Sequence, residues 1–142
     1  MPNPAETKLV SCIWHAFDQW RIPAWVIEAV HNRFPEMKLV HLPDYQGLER
    51  EIADADIFVG WSIKPEQFVL ARRLRWIHCL GAGVNQLIRE DIVRSPVQIT
   101  NSSHVHTLTI AEHTLGLLLA LARRFPSAFR YQQQKHWAQQ DI

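Results

Sequence analysis

The chain has 142 residues, an apolar fraction of 47% and a formal net charge of +1 at pH 7. This length suits one domain with a sizeable core, and this apolar content argues against disorder. A nearly neutral chain has no general attraction for nucleic acid or for a membrane surface, and no apolar run is long enough to cross a membrane. Since no signal-peptide pattern opens the sequence, we expect a cytoplasmic protein whose two cysteines are reduced.

Strand and helix patterns alternate along the first hundred residues. Short apolar runs predict five strands, and amphipathic spacing predicts helices between them. In chain order the strands are 8–14, 37–42, 57–60, 76–80 and 97–100, with helices starting near Pro23, Leu48, Pro65 and Val84. This α/β alternation is typical of a parallel sheet with helices on both faces, and the short connections favour a doubly wound, flavodoxin-like order.

The last quarter of the chain is rich in leucine. Residues 108–121 predict a long helix that is apolar on nearly all sides, and such a helix has to be buried against another domain or another chain. A second helical pattern follows Pro126. We therefore divide the chain into a flavodoxin-like domain, 1–106, and helices, 107–142, that we place at a domain or dimer interface.

Two glycines follow the fourth strand, in Gly81-Ala82-Gly83. They do not form a dinucleotide fingerprint, because Gln86 stands where the third glycine is required. They allow a tight turn in which backbone amides near Val84 bind a small carboxylate at the start of a helix. A plain strand-to-helix turn explains the same residues, and both interpretations stay open at this point.

Three histidines, His104, His106 and His113, lie near the start of the long helix. Their spacing matches no zinc pattern and no cysteine or carboxylate cluster joins them, so we expect no metal. His106 instead faces the cleft or caps the loop. The sequence Thr109-Ile110-Ala111-Glu112 predicts a capping box, which gives Glu112 a structural role.

Aromatic residues stand at the exits of two strands. Phe17 follows the first strand and Trp61 follows the third, where either could form the wall of an apolar pocket or take part in ordinary packing. Asp18 is the single acidic residue at the first exit, which argues against a phosphorylation-receiver domain.

Three blocks of the sequence together resemble a known family. They are residues 74–85 (LRWIHCLGAGVN), 100–103 (TNSS) and 110–116 (IAEHTLG). In order and spacing these blocks are similar to the amino-terminal, substrate-binding half of the D-isomer-specific 2-hydroxyacid dehydrogenases. The resemblance implies an oxidoreductase that acts on the CH–OH group of D-2-hydroxy acids by hydride exchange with a nicotinamide cofactor.

The resemblance also implies roles for single residues. Ala82, Gly83 and Val84 would hold the substrate carboxylate with their backbone amides. We add Trp61 to the substrate-binding residues because of its place at the exit of the third strand, and not because of the resemblance. His106 stands in the loop where many members of the family carry asparagine, so its role is left open. The expected partners are a small 2-keto or 2-hydroxy acid and, in a homodimer, a second copy of the chain.

The family's glycine-rich cofactor fingerprint and its catalytic Arg, Glu and His belong to later sequence. We therefore expect no catalytic or cofactor-binding residue in this chain, with NAD or NADP bound by a Rossmann domain absent from it. On this interpretation the chain is a truncated, catalytically incomplete part of a dehydrogenase. The alternative is a non-catalytic flavodoxin-like binding or dimerisation module.

Overall fold

The computed structural model describes residues 7–140, which contain a five-stranded sheet. The strands are β1 Lys8–Cys12, β2 Lys38–Leu42, β3 Ile57–Gly60, β4 Trp76–Cys79 and β5 Gln98–Asn101. Neighbouring strands run in the order β2-β1-β3-β4-β5, and every pair is parallel. This is the flavodoxin-like order, so the predicted α/β fold class is confirmed.

Helices connect the strands, and two more follow the sheet. They are α1 Ala24–Arg33, α2 Leu48–Ile52, α3 Pro65–Leu70, α4 Glu90–Val93, α5 Thr107–Ala122 and α6 Phe125–Gln133. Two 3-10 turns, at Asp18–Trp20 and Asn85–Leu87, follow the exits of β1 and β4. Most of the predicted strands are one or two residues longer at one end than the strands in the structure, because the chain leaves the sheet sooner than the apolar runs suggest.

One face of the sheet forms the core. The register places Val10, Phe58 and Ile77 side by side across three strands, and all three are fully buried. They belong to one apolar cluster with Leu48 and Ile52 of α2. Burying a side chain of this size contributes roughly 1.5–3 kcal/mol, so this face supplies most of the driving force for folding.

Both cysteines lie in this core as free thiols, as expected. Burial and the nearby Asp44 carboxylate raise the pKa of Cys12 to about 11. The thiol of Cys12 is therefore protonated at neutral pH and is not a nucleophile.

The opposite face carries a chain of hydrogen bonds across β4 and β5. The Trp76 indole donates to Thr100 Oγ1 at 2.8 Å, and the same oxygen lies 2.8 Å from His78 Nδ1. His78 Nε2 lies 3.2 Å from Ser102 Oγ, just beyond β5. The Thr100 hydroxyl thus links the Trp76 indole to His78, and His78 links Thr100 to Ser102. The network joins β4 to the exit of β5.

The amino-terminal edge of the sheet is held by ion pairs. The Lys8 ammonium, on a residue only 5% exposed, pairs with Asp54 and, at 3.0 Å, with Glu51. Burial opposes the charge on Lys8, but these hydrogen bonds outweigh it and the pKa of Lys8 is raised. Asp56 is buried as well; it accepts from the Lys8 amide at 2.9 Å and pairs with Arg73 at 3.1 Å.

The chain divides into two compact units between Ser103 and His104. In the second unit α5 packs against α6 and carries a series of leucines that are more than half exposed, namely Leu108, Leu115, Leu117, Leu118, Leu119 and Leu121. Its place at a domain or dimer interface, like the division at residue 106, stays a prediction. None of the helices within residues 7–140 combines the length and hydropathy that crossing a membrane requires.

The predicted capping box at the start of the long helix is wrong. α5 begins at Thr107, with His106 as its N-cap residue, so Thr109 and Glu112 both lie inside the helix. The box needs its first residue at the cap, where the side chain reaches a free backbone amide.

Candidate functional site

The candidate site is the glycine loop, defined as residues 80–84, which leaves β4 at the carboxyl edge of the sheet. The neighbouring exit of β5 braces it with two hydrogen bonds: the Ser102 amide donates to the Gly81 carbonyl at 3.3 Å, and Asn101 Nδ2 donates to the Ala82 carbonyl at 2.5 Å. Loops that leave adjacent parallel strands meet at this edge, where open α/β sheets bind ligands.

These bonds fix the direction of the loop amides. A trans peptide is planar, so its N–H points opposite to its C=O. The carbonyls of Gly81 and Ala82 face the β5 exit, and the N–H groups of Ala82 and Gly83 consequently face away from it. The Gly83 carbonyl accepts from the Cys79 thiol at 3.5 Å, and because Cys79 is buried, the Val84 N–H points outward.

Within residues 7–140 these three amides donate no hydrogen bond to the protein. Ala82 and Gly83 are exposed and Val84 is half-buried. Successive free N–H groups in a turn create a concave region of positive potential that suits a carboxylate. The structure thus brings Ala82, Gly83 and Val84 together as adjacent unpaired donors.

The two glycines of the loop have different surroundings. A Cβ at Gly81 would lie 3.3 Å from the Trp61 ring, whereas a Cβ at Gly83 would meet nothing within 4 Å. Gly81 therefore permits the approach of the ring, and Gly83 leaves open space beside the free amides.

The helix predicted to begin at Val84 is wrong. The chain forms a 3-10 turn at Asn85–Leu87, closed by the Leu87 amide on the Val84 carbonyl at 2.8 Å, and Arg89 then adopts an extended conformation before α4. Leu87 does face the core, which explains the apolar spacing. A three-residue turn has no substantial aligned dipole, so a bound anion would be held by the amides and not by a helix terminus.

Trp61 lies beside the glycine loop. Its backbone carbonyl accepts from Gln86 Nε2 at 2.7 Å, which ties the 3-10 turn to the exit of β3. Its indole Nε1 is shielded from solvent and has no acceptor in the described part of the chain. A shielded donor without a partner is unusual in a folded protein.

An aromatic cluster extends from Trp61 along the same edge. The ring of Trp20 lies 6.3 Å from Trp61, 4.5 Å from His15 and 6.2 Å from Phe17. Sequence reasoning found Phe17 and Trp61 but missed His15 and Trp20. The signal was present, since His15, Phe17 and Trp20 all follow β1 within eight residues, but the 3-10 turn that gathers them was not predicted.

His106 belongs to the other unit of the chain. It is the N-cap residue of α5, where its carbonyl accepts from the Ile110 amide at 2.9 Å and its side chain makes no capping hydrogen bond. A role for His106 at the substrate stays a prediction. Across residues 7–140, no three His, Cys, Asp or Glu side chains are grouped so that they could hold a metal ion.

The glycine loop does not fit a nicotinamide dinucleotide. A dinucleotide's pyrophosphate binds at a glycine-rich turn that opens directly into a long helix. Here the glycine loop leads into a 3-10 turn, and Gln86 occupies the position of the third glycine.

Several of the curated relatives that match are named as dehydrogenases. D-3-phosphoglycerate dehydrogenase of Methanocaldococcus jannaschii is 29% identical over 93 residues, which cover 63% of this chain and 18% of that enzyme. A Staphylococcus saprophyticus protein assigned to the 2-hydroxyacid dehydrogenases is 31% identical over 86 residues, or 58% of this chain and 27% of that protein. Over about 60% of its length this chain is similar to D-isomer-specific 2-hydroxyacid dehydrogenases. No family model matches it.

Solved dehydrogenase structures share the fold. A D-isomer-specific 2-hydroxyacid dehydrogenase family protein from Aeromonas salmonicida superposes with a TM-score of 0.73 at 22% identity, over 94% of this chain and 41% of that one. D-lactate dehydrogenase from Aquifex aeolicus, complexed with NAD and lactic acid, superposes with a TM-score of 0.72 at 15% identity, over 95% and 39% of the two chains. The chain thus spans less than half the length of these dehydrogenases.

Proposed function

We propose that this chain is the substrate-binding part of an NAD(P)-dependent oxidoreductase that interconverts D-2-hydroxy acids and 2-keto acids. The observation that carries the proposal is the row of unpaired backbone amides at Ala82, Gly83 and Val84, held open at the carboxyl edge of the sheet. The relationship to dehydrogenases supports it.

The loop is suited to orienting such an acid. Hydrogen bonds from N–H donors to a carboxylate are stronger than those between neutral groups. In a 2-keto or 2-hydroxy acid the reacting carbon is bonded directly to the carboxylate carbon, so fixing the carboxylate also fixes that carbon. The Trp61 ring covers the Gly81 side of the loop and limits the approach of water.

The rest of the proposal concerns parts of the protein beyond the described residues. The cofactor, NAD or NADP, would bind in a Rossmann domain elsewhere in a longer chain, because the glycine loop does not fit a dinucleotide. We place α5 at the interface with that domain or with a second copy in a homodimer, and we place the protein in the cytoplasm. By itself the 142-residue chain should be inactive.

A non-catalytic binding or dimerisation module is the second candidate. The exposed leucines of α5 favour it, because they offer an extended apolar surface that needs a partner.

Kinetics of the full gene product distinguish the two candidates. We expect the protein to oxidise NADH or NADPH with at least one acid among glyoxylate, pyruvate, hydroxypyruvate and phenylpyruvate. Gly83→Val should raise KM more than it lowers kcat, because the added side chain crowds the amides without displacing protein atoms. A protein that oxidises neither cofactor with any of these acids would favour the module.

A further inference from the structure

The aromatic cluster, formed by His15, Phe17, Trp20 and Trp61, exposes a large apolar surface next to the glycine loop. Phe17 is 59% exposed and Trp20 is 53% exposed, whereas the core ring of Phe58 is fully buried. An exposed group of rings on one edge of a fold is typical of a binding surface.

The rings are held in place before any ligand arrives. The Phe17 amide donates to His15 Nδ1 at 3.1 Å, and Arg21 Nε donates to the His15 carbonyl at 2.7 Å. The contacts of Trp20 with His15 and with Trp61 then fix its ring between the two strand exits. Rings that are already ordered lose little conformational entropy on binding.

Charge at the cluster excludes some substrates. Arg21 directly follows Trp20, and it is already paired: it forms an ion pair with Asp18 at 3.0 Å and lies over the Trp14 ring at 5.9 Å. Since Asp18 already neutralises Arg21, this part of the described chain favours a substrate without a second carboxylate or a phosphate.

We infer that the acid bound at the glycine loop carries an aromatic side chain. This inference rests on the proposed function, because the loop amides supply the other half of the site. Trp61 connects the halves: its ring lies against Gly81 on one side and 6.3 Å from Trp20 on the other. With its carboxylate at the amides, the acid extends its side chain from C2 past Trp61 toward Trp20, with Phe17 on the far side of Trp20.

Two ligands that differ by one phenyl group test the inference. The 142-residue chain, labelled with 15N, is titrated with D-lactate and with D-phenyllactate while its backbone amide signals are followed. Both acids should shift the signals of Ala82, Gly83 and Val84. D-Phenyllactate should bind about five- to tenfold more tightly, which is the gain expected from one or two aromatic contacts.

Single substitutions in the aromatic cluster test whether its rings cause the higher affinity for D-phenyllactate. Trp20→Ala should reduce D-phenyllactate to the affinity of D-lactate and leave D-lactate unchanged, and Phe17→Leu should have the same effect to a smaller degree. Trp25→Ala is the matched control, because Trp25 is a 68% exposed tryptophan on α1 outside the cluster, and it should change neither affinity.

Each outcome is decisive for one of the two claims. Equal affinities for the two acids, or a preference that survives in both cluster variants, would overturn the inference and leave the proposed function standing. D-Phenyllactate that shifts aromatic signals without the loop amides would also overturn it, since the rings would then serve another partner or another part of a longer chain. If neither acid shifts the loop amides, the proposed function itself fails.

Discussion

The two edges of the sheet differ in whether their polar groups are paired within the protein. At the amino edge, Asp56 accepts from the Lys8 amide and from Arg73, and the Lys8 ammonium pairs with Glu51. These charged groups and this N–H donor are therefore paired within the protein. At the carboxyl edge, the amides of the glycine loop have exposed or half-exposed positions and no acceptor in the described residues. The loop amides are therefore free to donate to water or to a ligand, whereas the buried polar groups of the amino edge are already paired within the protein.

The largest effect on stability should come from the amino edge. Asp56→Ala removes a buried carboxylate and leaves the Lys8 amide without its acceptor, so we expect a loss of about 2–3 kcal/mol in the free energy of unfolding. Chemical denaturation measures it. Glu90→Ala, in an exposed pair with Arg94, is the control and should cost less than about 1 kcal/mol. D-Lactate binding by Asp56→Ala should match the wild type; a large loss would mean that the two edges are not independent.

Substitutions at two glycines of the carboxyl edge should have different effects, one on stability and the other on ligand binding. A Cβ at Gly60 would lie 2.8 Å from the Cys12 carbonyl oxygen, so Gly60→Ala should lower stability by about 1–3 kcal/mol. A Cβ at Gly83 meets nothing within 4 Å, so Gly83→Ala should fold as well as the wild type yet bind D-lactate more weakly. Thermal unfolding and the NMR titration provide the two readouts. Unweakened binding by a folded Gly83→Ala would count against the amide site.

A smaller change should follow from loosening the brace of the loop. Asn101→Ala removes the hydrogen bond to the Ala82 carbonyl, with an expected stability loss of about 1 kcal/mol. Because that bond fixes the Ala82–Gly83 peptide plane, D-lactate binding should weaken severalfold. The control is Gln98→Ala, an exposed residue at the other end of the same strand, which should leave binding unchanged. Equal losses in both variants would show that the brace does not orient the amides.

The smallest effect should appear in the pH dependence of stability. Lys8 lowers the pKa of Glu51 and of Asp54, in each case chiefly through a hydrogen bond. The unfolded chain therefore takes up protons first as the pH falls, and the stability that these pairs provide above about pH 5 is lost progressively below it. In Lys8→Met the loss between pH 5 and pH 3 should be shallower. An identical slope in both proteins would show that the pairs are too well solvated to matter.

Much of the fold was predictable, because strand patterns are local. The run at 57–60 is short and apolar, and the run at 97–100 alternates apolar and polar residues; their alternation with helical spacing fixes the class of sheet. The turn after Gly83 was not predictable, since Leu87 satisfies a 3-10 turn and an α-helix equally well until Arg89 extends the chain.

The candidate site divides in the same way. The amide row was predicted from two glycines after a strand, together with the family resemblance. The brace from Asn101 was not, because a contact between positions 82 and 101 depends on β4 and β5 being neighbours. The position of Trp20 in the cluster likewise needs the turn at Asp18–Trp20 and the nearness of the β1 and β3 exits.

The central claim is that the loop amides bind a carboxylate, and an NMR titration of the wild-type chain with D-lactate tests it most directly. We expect the amide signals of Ala82, Gly83 and Val84 to move together and to saturate with one dissociation constant, while the Lys8 amide at the opposite edge, already bonded to Asp56, stays in place. Loop amides that stay in place at saturating D-lactate, or that move no more than Lys8, would contradict the account.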